Sequence, residues 1–416
     1  MHLFTIFAGL ITVTALLSYL NERYLRLPPG IGVMAAALAG SIVLILLGRF
    51  GLGVEPWAEH LFERIDFNVV LMKGMLSFLL FAGALHVNLE DLLSRKWSIM
   101  SLATVGVVLS TFLVGTVMWG VMTLFGLEVP YIFALLFGAL ISPTDPIAVL
   151  GTLKTAKTPR SLETMIAGES LFNDGVGVAV FIMVLGSVAG GARLSLAGAG
   201  TLFLLEAVGG VIYGLVLGYL AYRLLSTVDN YTVEILITLS LVAGGYALAD
   251  ALHTSGPIAM VVAGLFIGNH GRVFGMSERS RDRLDTFWEL LDEILTAMLF
   301  VMIGLELLVL DLEPGSLVMG LAAVPVVLAA RFLSVGLPIS ILRTFRPFPP
   351  HAVALMTWCG VRGGISIALA LSLPASPQRD LLLLMTYTVV VFSILVQGLT
   401  VGSLARLAAA RSAAPP

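Results

Sequence analysis

The sequence has few charged residues. Only 12% of its 416 residues are charged, whereas a soluble domain carries about 25%. Hydrophobic residues make up 58% of the chain, and the mean hydropathy is +1.01. Too little charge is present to cover a globular core with a wetted surface. The net charge of −3 gives no indication of a nucleic-acid partner.

Cysteine is almost absent, since Cys359 is the single one. An internal disulfide is therefore excluded. A basic leader is also lacking before the first apolar run, Leu3 to Leu20, and no clear small-residue cleavage site follows it. We expect a retained first helix rather than a signal peptide. The last hydrophobic run ends near Leu407, and only a short tail follows, so no soluble regulatory domain is expected.

Long apolar runs dominate the chain. A helix needs about 20 apolar residues to cross a bilayer. Breaks at charges, proline and glycine predict an all-α membrane protein with about thirteen transmembrane helices. They lie near 3–20, 30–49, 67–87, 97–125, 130–153, 160–190, 196–225, 231–250, 255–270, 284–309, 315–343, 349–373 and 379–408.

The basic residues predict the orientation, because Lys and Arg favour cytoplasmic loops. With the N-terminus outside, sixteen basic residues fall in inside loops and only four in outside loops. If one helix had been missed, all later loops would be assigned to the wrong side, and loops rich in basic residues would no longer alternate with loops poor in them. The sequence therefore predicts a multi-pass protein of the cell membrane with its C-terminus in the cytoplasm.

Two predicted spans are interrupted. The fifth contains Pro143 and Pro146, which remove two backbone donors. The twelfth places three glycines around Arg362. Non-helical backbone at membrane depth is tolerated only where it is buried in protein or lines a cavity. Paired broken helices in two halves of a chain are the best sequence indication of a transporter binding site.

The two breaks lie seven spans apart, and an odd offset inverts topology. We therefore predict a single transporter domain over 1–416. It would comprise one six-helix repeat over about 1–190, a linking helix over about 196–225 and a second, inverted repeat over about 231–408.

The sixth span carries the densest polar cluster, with Glu169, Ser170, Asn173 and Asp174. Ser170 and Asp174 are four residues apart and share one helix face. A charge inside the membrane costs about 2.5–3.5 kcal/mol on insertion scales. Asp145, Glu169 and Asp174 are three acids, whereas Arg362 is the one base evident in these motifs. At least one of the acids must therefore bind an ion or take up a proton.

Oxygen ligands suit hard cations. Asp174, Asp145, Ser170 and the carbonyls freed near Thr144 would form an all-oxygen site. Burial in a low-dielectric pocket favours the protonated form of a carboxylic acid. Such a group holds either a proton or a cation, and this competition couples two fluxes. Glu169 and Arg362 are equally compatible with a buried structural ion pair.

Four ordered motifs carry a family resemblance. They are Ser142-Pro-Thr-Asp-Pro146, Gly168-Glu-Ser-Leu-Phe-Asn-Asp-Gly175, Phe300-Val-Met-Ile-Gly-Leu-Glu306 and Arg362-Gly-Gly-Ile-Ser366. In this order they resemble the monovalent cation–proton antiporters of the NhaP and eukaryotic NHE type. The resemblance implies a core domain, a dimerisation domain, a homodimer and an elevator-like movement, with transported Na⁺ (and Li⁺) and H⁺ as the only ligands.

The resemblance also implies residue roles. Asp174 would bind both the cation and the proton, with Asp145, the Thr144 carbonyl and Ser170 completing the site. Asn173 stands where electrogenic relatives have a second aspartate, which implies electroneutral exchange.

A structural ion pair between Glu169 and Arg362 is implied as well. Ala82 stands where some prokaryotic members carry an acid, and His86 and Asn88 nearby are interpreted as helix-end residues.

Other residues have structural interpretations. Arg331 would be a snorkelling or interhelical partner, Glu306 a structural residue and Arg279 to Arg283 a solvated cytoplasmic loop. His253 is a weak candidate for a pH sensor.

Three alternatives remain open: K⁺/H⁺ exchange, a cation channel, and an intramembrane aspartyl protease. The protease lacks its Gly-x-Gly-Asp pattern, and no repeated filter loop indicates a channel.

Overall fold

The structure is a computed structural model that describes residues 3–49, 70–145, 147–156, 158–189, 196–252, 254–310 and 313–413. Within these ranges the regular structure is entirely helical, as the sequence predicts. The helices are α1 (Leu3–Leu20), α2 (Pro29–Arg49), α3 (Leu76–Leu85), α4 (Leu89–Ser94), α5 (Lys96–Ser101), α6 (Val107–Leu124), α7 (Tyr131–Leu140), α8 (Ile147–Thr155), α9 (Arg160–Ala189), α10 (Leu196–Leu225), α11 (Tyr231–Ala251), α12 (Gly256–Phe266), α13 (Glu278–Glu306), α14 (Pro314–Leu342), α15 (Ala352–Trp358), α16 (Gly364–Leu371), α17 (Pro377–Phe392) and α18 (Gly398–Ala413).

Short π-helical turns extend several of these helices. They are Asn21–Leu25, Val70–Met75, Leu102–Gly106, Ile267–Gly271 and Ser393–Gln397. Seven helical segments of the described chain are long and apolar enough to cross a membrane: Pro29–Gly48, Lys96–Leu124, Arg160–Val188, Leu205–Leu225, Tyr231–Ala251, Pro314–Leu342 and Pro377–Ala408. Shorter apolar helices accompany them. The protein is therefore a multi-pass membrane protein, while the count of thirteen spans and the orientation stay predictions.

Local sequence explains several helix starts. Five helices follow a residue whose side chain accepts a hydrogen bond from a backbone N–H group of the first turn. These capping residues are Asn88, Asn230, Ser255, Ser277 and Ser376. These contacts satisfy donors that a helix start leaves free.

One of these starts corrects an expectation. The run from Arg279 to Arg283 is the beginning of α13 rather than a loop, because the Ser277 cap starts the helix at Glu278.

Both predicted helix breaks are present. The first lies between the end of α7 at Leu140 and the start of α8 at Ile147. The second lies between the end of α15 at Trp358 and the start of α16 at Gly364. Each break divides one apolar span into two half-helices, so backbone groups at the breaks need partners other than those of a continuous helix.

The helices pack in two groups. In the first, α6 packs on α7 and α14, α7 on α9, and α14 and α16 on α17. In the second, α2 packs on α13, and α12 packs on α3, α10 and α11. The groups meet where α9 packs on α12 and where α13 packs on α16. Both broken helices belong to the first group. The repeat boundaries and the dimer stay predictions.

The first half-helix packs very closely against α6. A Cβ atom added to Gly138 would lie 3.0 Å from the Gly115 nitrogen and would collide with the carbonyl oxygen of Thr111. Glycine at this position therefore permits backbone-to-backbone contact between α6 and α7. This contact fixes the half-helix that leads into the first break.

We expect Gly138→Ala to lower the melting temperature, because overpacking a tight contact costs about 1–3 kcal/mol. Gly120→Ala is a matched control in α6, since a Cβ added to Gly120 meets nothing within 4 Å. The measurement is thermal unfolding of both purified variants. Equal melting temperatures for the two variants would contradict the close packing.

Candidate functional site

The first helix break is held against α9 by hydrogen bonds to Thr144. Asn173 Nδ2 donates to Thr144 Oγ1 at 2.7 Å, and the Thr144 N–H donates to Asn173 Oδ1 at 3.3 Å. The Ser170 hydroxyl donates to the Thr144 carbonyl oxygen. Two successive turns of α9 therefore fix both the side chain and the backbone of Thr144. The structure brings together these three predicted site residues.

Asp174 follows Asn173 on α9 and is buried, with 9% exposure. Its Oδ1 accepts no hydrogen bond from the described residues. Asp145 of the first break lies within electrostatic range of it. A buried carboxylate oxygen without a donor is costly unless a proton or a cation binds there. Asp174 is therefore the group of this cluster that is suited to exchange one for the other.

The two breaks contact each other at Asp145. Its backbone N–H donates to the Val361 carbonyl oxygen at 2.8 Å. A Cβ atom added to Gly363 would lie 2.6 Å from Asp145 Oδ2. Any side chain at Gly363 would therefore displace the Asp145 carboxylate. The second break thus positions an acid that the first break supplies.

The expected ion pair between Glu169 and Arg362 is wrong. Glu169 instead pairs with Arg331 of α14, with two Nη–Oε distances of 2.6 Å. Both side chains are buried. Gly360 leaves room for this arrangement, because a Cβ there would lie 2.6 Å from Arg331 Nε. Arg331 is therefore an interhelical partner, one of its two predicted roles, and it joins α9 to α14.

Arg362 has a different set of contacts. Its Nη1 donates to the carbonyl oxygens of Ser142 at 2.5 Å and Pro143 at 3.0 Å. These carbonyls lie just beyond the C-terminal end of α7, where a helix carries partial negative charge. Arg362 therefore neutralises the end of the first half-helix and satisfies backbone acceptors that the break exposes.

Several other expectations concern residues near the site. Ala82 is buried in α3 and supplies no acid. His86 Nδ1 lies 2.9 Å from the Ala82 carbonyl oxygen, and Asn88 caps α4, so both are helix-end residues as predicted. Glu306 is the last residue of α13. His253 lies outside the described residues.

Sequence reasoning missed two features of the site. The bidentate role of Arg331 had a signal, since a buried arginine in an apolar span needs an acidic partner. Asp292 of α13, which is half-buried and within electrostatic range of Asp145, was not identified. Its signal was the acidic spacing of residues 285, 289 and 292 on one helix face.

Asp174, Asp145, Ser170 and Thr144 offer two carboxylates, one hydroxyl and one backbone carbonyl, which are oxygen groups that suit a hard cation. Together with a pair of helix breaks inside a multi-pass helical protein, they are typical of the class of secondary transporters.

Comparison with known proteins agrees with this class. The model of the transmembrane sodium/hydrogen exchanger family matches residues 10–407, so the chain belongs to that family. The Na⁺/H⁺ antiporter NhaP of Pseudomonas aeruginosa is 51% identical over 96% of this chain and 95% of that relative. The Na⁺/H⁺ antiporter NhaH of Halobacillus dabanensis is 36% identical over 86% of this chain and 89% of that relative.

A solved structure is similar in fold. The sodium proton antiporter MjNhaP1 from Methanocaldococcus jannaschii aligns with a TM-score of 0.75 over 97% of this chain and 99% of that chain, at 20% identity.

We expect a double-mutant cycle to show coupling between Glu169 and Arg331. Breaking a buried pair costs about 3–5 kcal/mol, because one charge is left uncompensated. Glu169→Gln and Arg331→Gln should each lower the melting temperature, and the double variant should recover part of the loss. Combining Glu169→Gln with Arg362→Gln is the control and should show weaker coupling, because Arg362 lies within electrostatic range of Glu169 but forms no ion pair with it among the described residues. Additive losses in the Arg331 cycle, with coupling in the Arg362 cycle, would restore the pairing expected from the sequence.

Proposed function

We propose that the protein exchanges Na⁺ for H⁺ across the membrane as a secondary active antiporter. The observation that carries this proposal is Asp174 Oδ1, a buried carboxylate oxygen that accepts no hydrogen bond from the described residues and lies within electrostatic range of Asp145 at the first helix break. The names of the two relatives, both Na⁺/H⁺ antiporters with more than four fifths of each chain matched, support the same activity.

The proposed cation ligands are Asp174, Asp145, the Thr144 carbonyl oxygen and the Ser170 hydroxyl. Ser170 donates its proton to the Thr144 carbonyl, so its lone pairs remain available to a cation. The second lone pair of the carbonyl is available too. Asn173 holds Thr144 in place and contacts Glu169 Oε1 at 3.3 Å. Its amide thus links the site to the Glu169–Arg331 pair.

Competition at Asp174 would couple the two fluxes. When Na⁺ binds, the carboxylate must be ionised, and when a proton binds, the cation loses its charged ligand. A transporter that changes conformation only with one of the two bound performs exchange rather than leak. Asp174 is thus proposed to carry the proton one way and the cation the other.

The proposed movement is elevator-like. The group that contains both breaks would shift relative to the second group, along the contacts of α9 with α12 and of α13 with α16. We further propose a homodimer, an outside N-terminus, and Li⁺ as a second substrate, since Li⁺ is also a hard cation that oxygen ligands suit.

We expect Asp174→Asn to abolish exchange while the protein still folds. Asparagine keeps the shape of the side chain but has no titratable proton. The measurement is Na⁺-induced dequenching of an internal pH dye in proteoliposomes, with the melting temperature as the folding control. Wild-type rates in the folded variant would remove Asp174 from the mechanism. Dissipation of a Na⁺ gradient by the wild type without proton movement would instead indicate a channel.

We expect one Na⁺ to exchange for one H⁺. Asn173 cannot titrate, and Asp145 lies just before the half-helix that begins at Ile147, where the positive end of the helix dipole favours a permanent anion. If Asp174 is the one group that alternates between a bound proton and a bound Na⁺, the two halves of the transport cycle move the same charge across the membrane. A membrane potential biases one net charge by about 2.3 kcal/mol per 100 mV, but it should not bias this cycle.

The measurement is exchange in proteoliposomes with valinomycin and K⁺ gradients of either sign, after K⁺ itself has been tested as a substrate. Equal rates under both potentials are expected. Rates that follow the potential would show that a second group titrates and that exchange is electrogenic.

A further inference from the structure

One face of α13 carries acidic side chains toward the proposed site. Asp285, Glu289 and Asp292 are separated by four and three residues, which places them on a common helix face. The same spacing continues through Thr296 and Leu299. This set of five residues, the α13 acidic face, therefore runs for several turns along one side of the helix.

The inner end of the α13 acidic face reaches the second helix break. A Cβ atom added to Gly364 would lie 3.1 Å from Leu299 Cδ2, so α13 and the start of α16 are in direct contact. Gly364 adjoins Gly363, which contacts Asp145. The face thus ends where the two breaks meet.

Three oxygen atoms on this face are buried and have no hydrogen-bond partner among the described residues: Asp285 Oδ1, Asp292 Oδ1 and Thr296 Oγ1. The other oxygen of Asp285 pairs with Arg272, so the two remaining oxygens, on Asp292 and Thr296, are the ones relevant here. Thr296 is only 7% exposed. Threonine hydroxyls in helices commonly donate to the carbonyl four residues earlier, as Thr286 does on the same helix, at 2.7 Å from the Asp282 oxygen. Thr296 departs from this pattern, which leaves its hydroxyl free for another partner.

The surroundings of Asp292 also favour a cation. Asp292 lies within electrostatic range of both Asp145 and Glu293. An ionised acid facing lipid would cost about 2.5–3.5 kcal/mol. We therefore expect Asp292 and Asp145 to border a water-accessible region between the two helix groups.

We propose that Asp292 and Thr296, on the α13 acidic face, form a second binding position for a monovalent hard cation. The position rests on the proposed antiport function and would serve as the station from which the cation enters the Asp174 site. A carboxylate and a hydroxyl, four residues apart on α13, supply its protein ligands, and water supplies the rest of the coordination.

The test uses full-length protein in proteoliposomes, with exchange rates measured as a function of Na⁺ concentration. Asp292→Asn and Thr296→Val preserve side-chain shape and remove one ligand each. Both should raise the KM for Na⁺ about three- to tenfold, the scale of losing one polar contact, with kcat within about twofold of wild type. Glu278→Gln is the control, because this exposed acid lies at the start of α13, fourteen residues before Asp292, and its KM should not change.

The outcomes separate this inference from the proposed function. Absence of Na⁺-driven proton movement in the wild type would overturn the proposed function itself. Normal exchange by the wild type, with an unchanged KM in Asp292→Asn and Thr296→Val, would overturn only the second position. A lower kcat without a change in KM would assign Asp292 to helix packing instead and would also overturn it.

Binding without transport gives a second readout. In Asp174→Asn, added NaCl should still raise the melting temperature relative to choline chloride, because the second position remains. Adding Asp292→Asn to that variant should remove the rise, whereas adding Glu278→Gln should not. No rise in Asp174→Asn, or a rise that survives the loss of Asp292, would contradict a separate position.

Discussion

The structure depends on one constraint: backbone groups freed inside a membrane must find partners in the protein. The two helix breaks release such groups, and side chains of neighbouring elements satisfy them. Arg362 binds the carbonyls of Ser142 and Pro143, Ser170 donates to the Thr144 carbonyl, and the Asp145 N–H donates to Val361. These contacts bring the breaks and α9 to one point, where the proposed cation ligands lie.

Charge balance then singles out Asp174. Arg331 neutralises Glu169 through a bidentate contact, and Arg362 balances the partial negative charge at the end of α7. Within this arrangement Asp174 Oδ1 receives no donor from the described residues. A buried carboxylate in this position is stabilised by a proton or a cation. The ion pair therefore matters for the site, because Arg331 is occupied by Glu169 and is not the counter-charge of Asp174.

The two helix breaks and the polar face of α9 could be predicted from local sequence. Pro143 and Pro146 cannot continue the first of the broken helices, and the glycines around Arg362 weaken the second. The spacing of Ser170 and Asp174 placed them on one face of α9. The sequence indicates that a buried Arg331 needs an acidic partner, but it does not indicate which acid Arg331 reaches. That choice depends on packing at Gly360, where an added Cβ would lie 2.6 Å from Arg331 Nε. The helical state of Arg279 to Arg283 was missed because positive charge indicates a side of the membrane, not a conformation. Asp292 was missed because its significance depends on the contact between α13 and the second break.

Competition between a cation and a proton for the Asp174 carboxylate can be measured as the proton release that accompanies Na⁺ binding. The purified protein is titrated with Na⁺ in weakly buffered solution, at a pH where the protonated form predominates. We expect close to one proton released for each Na⁺ bound at the Asp174 site, and no such release in Asp174→Asn. Na⁺ binding that saturates this site without releasing protons would contradict this competition.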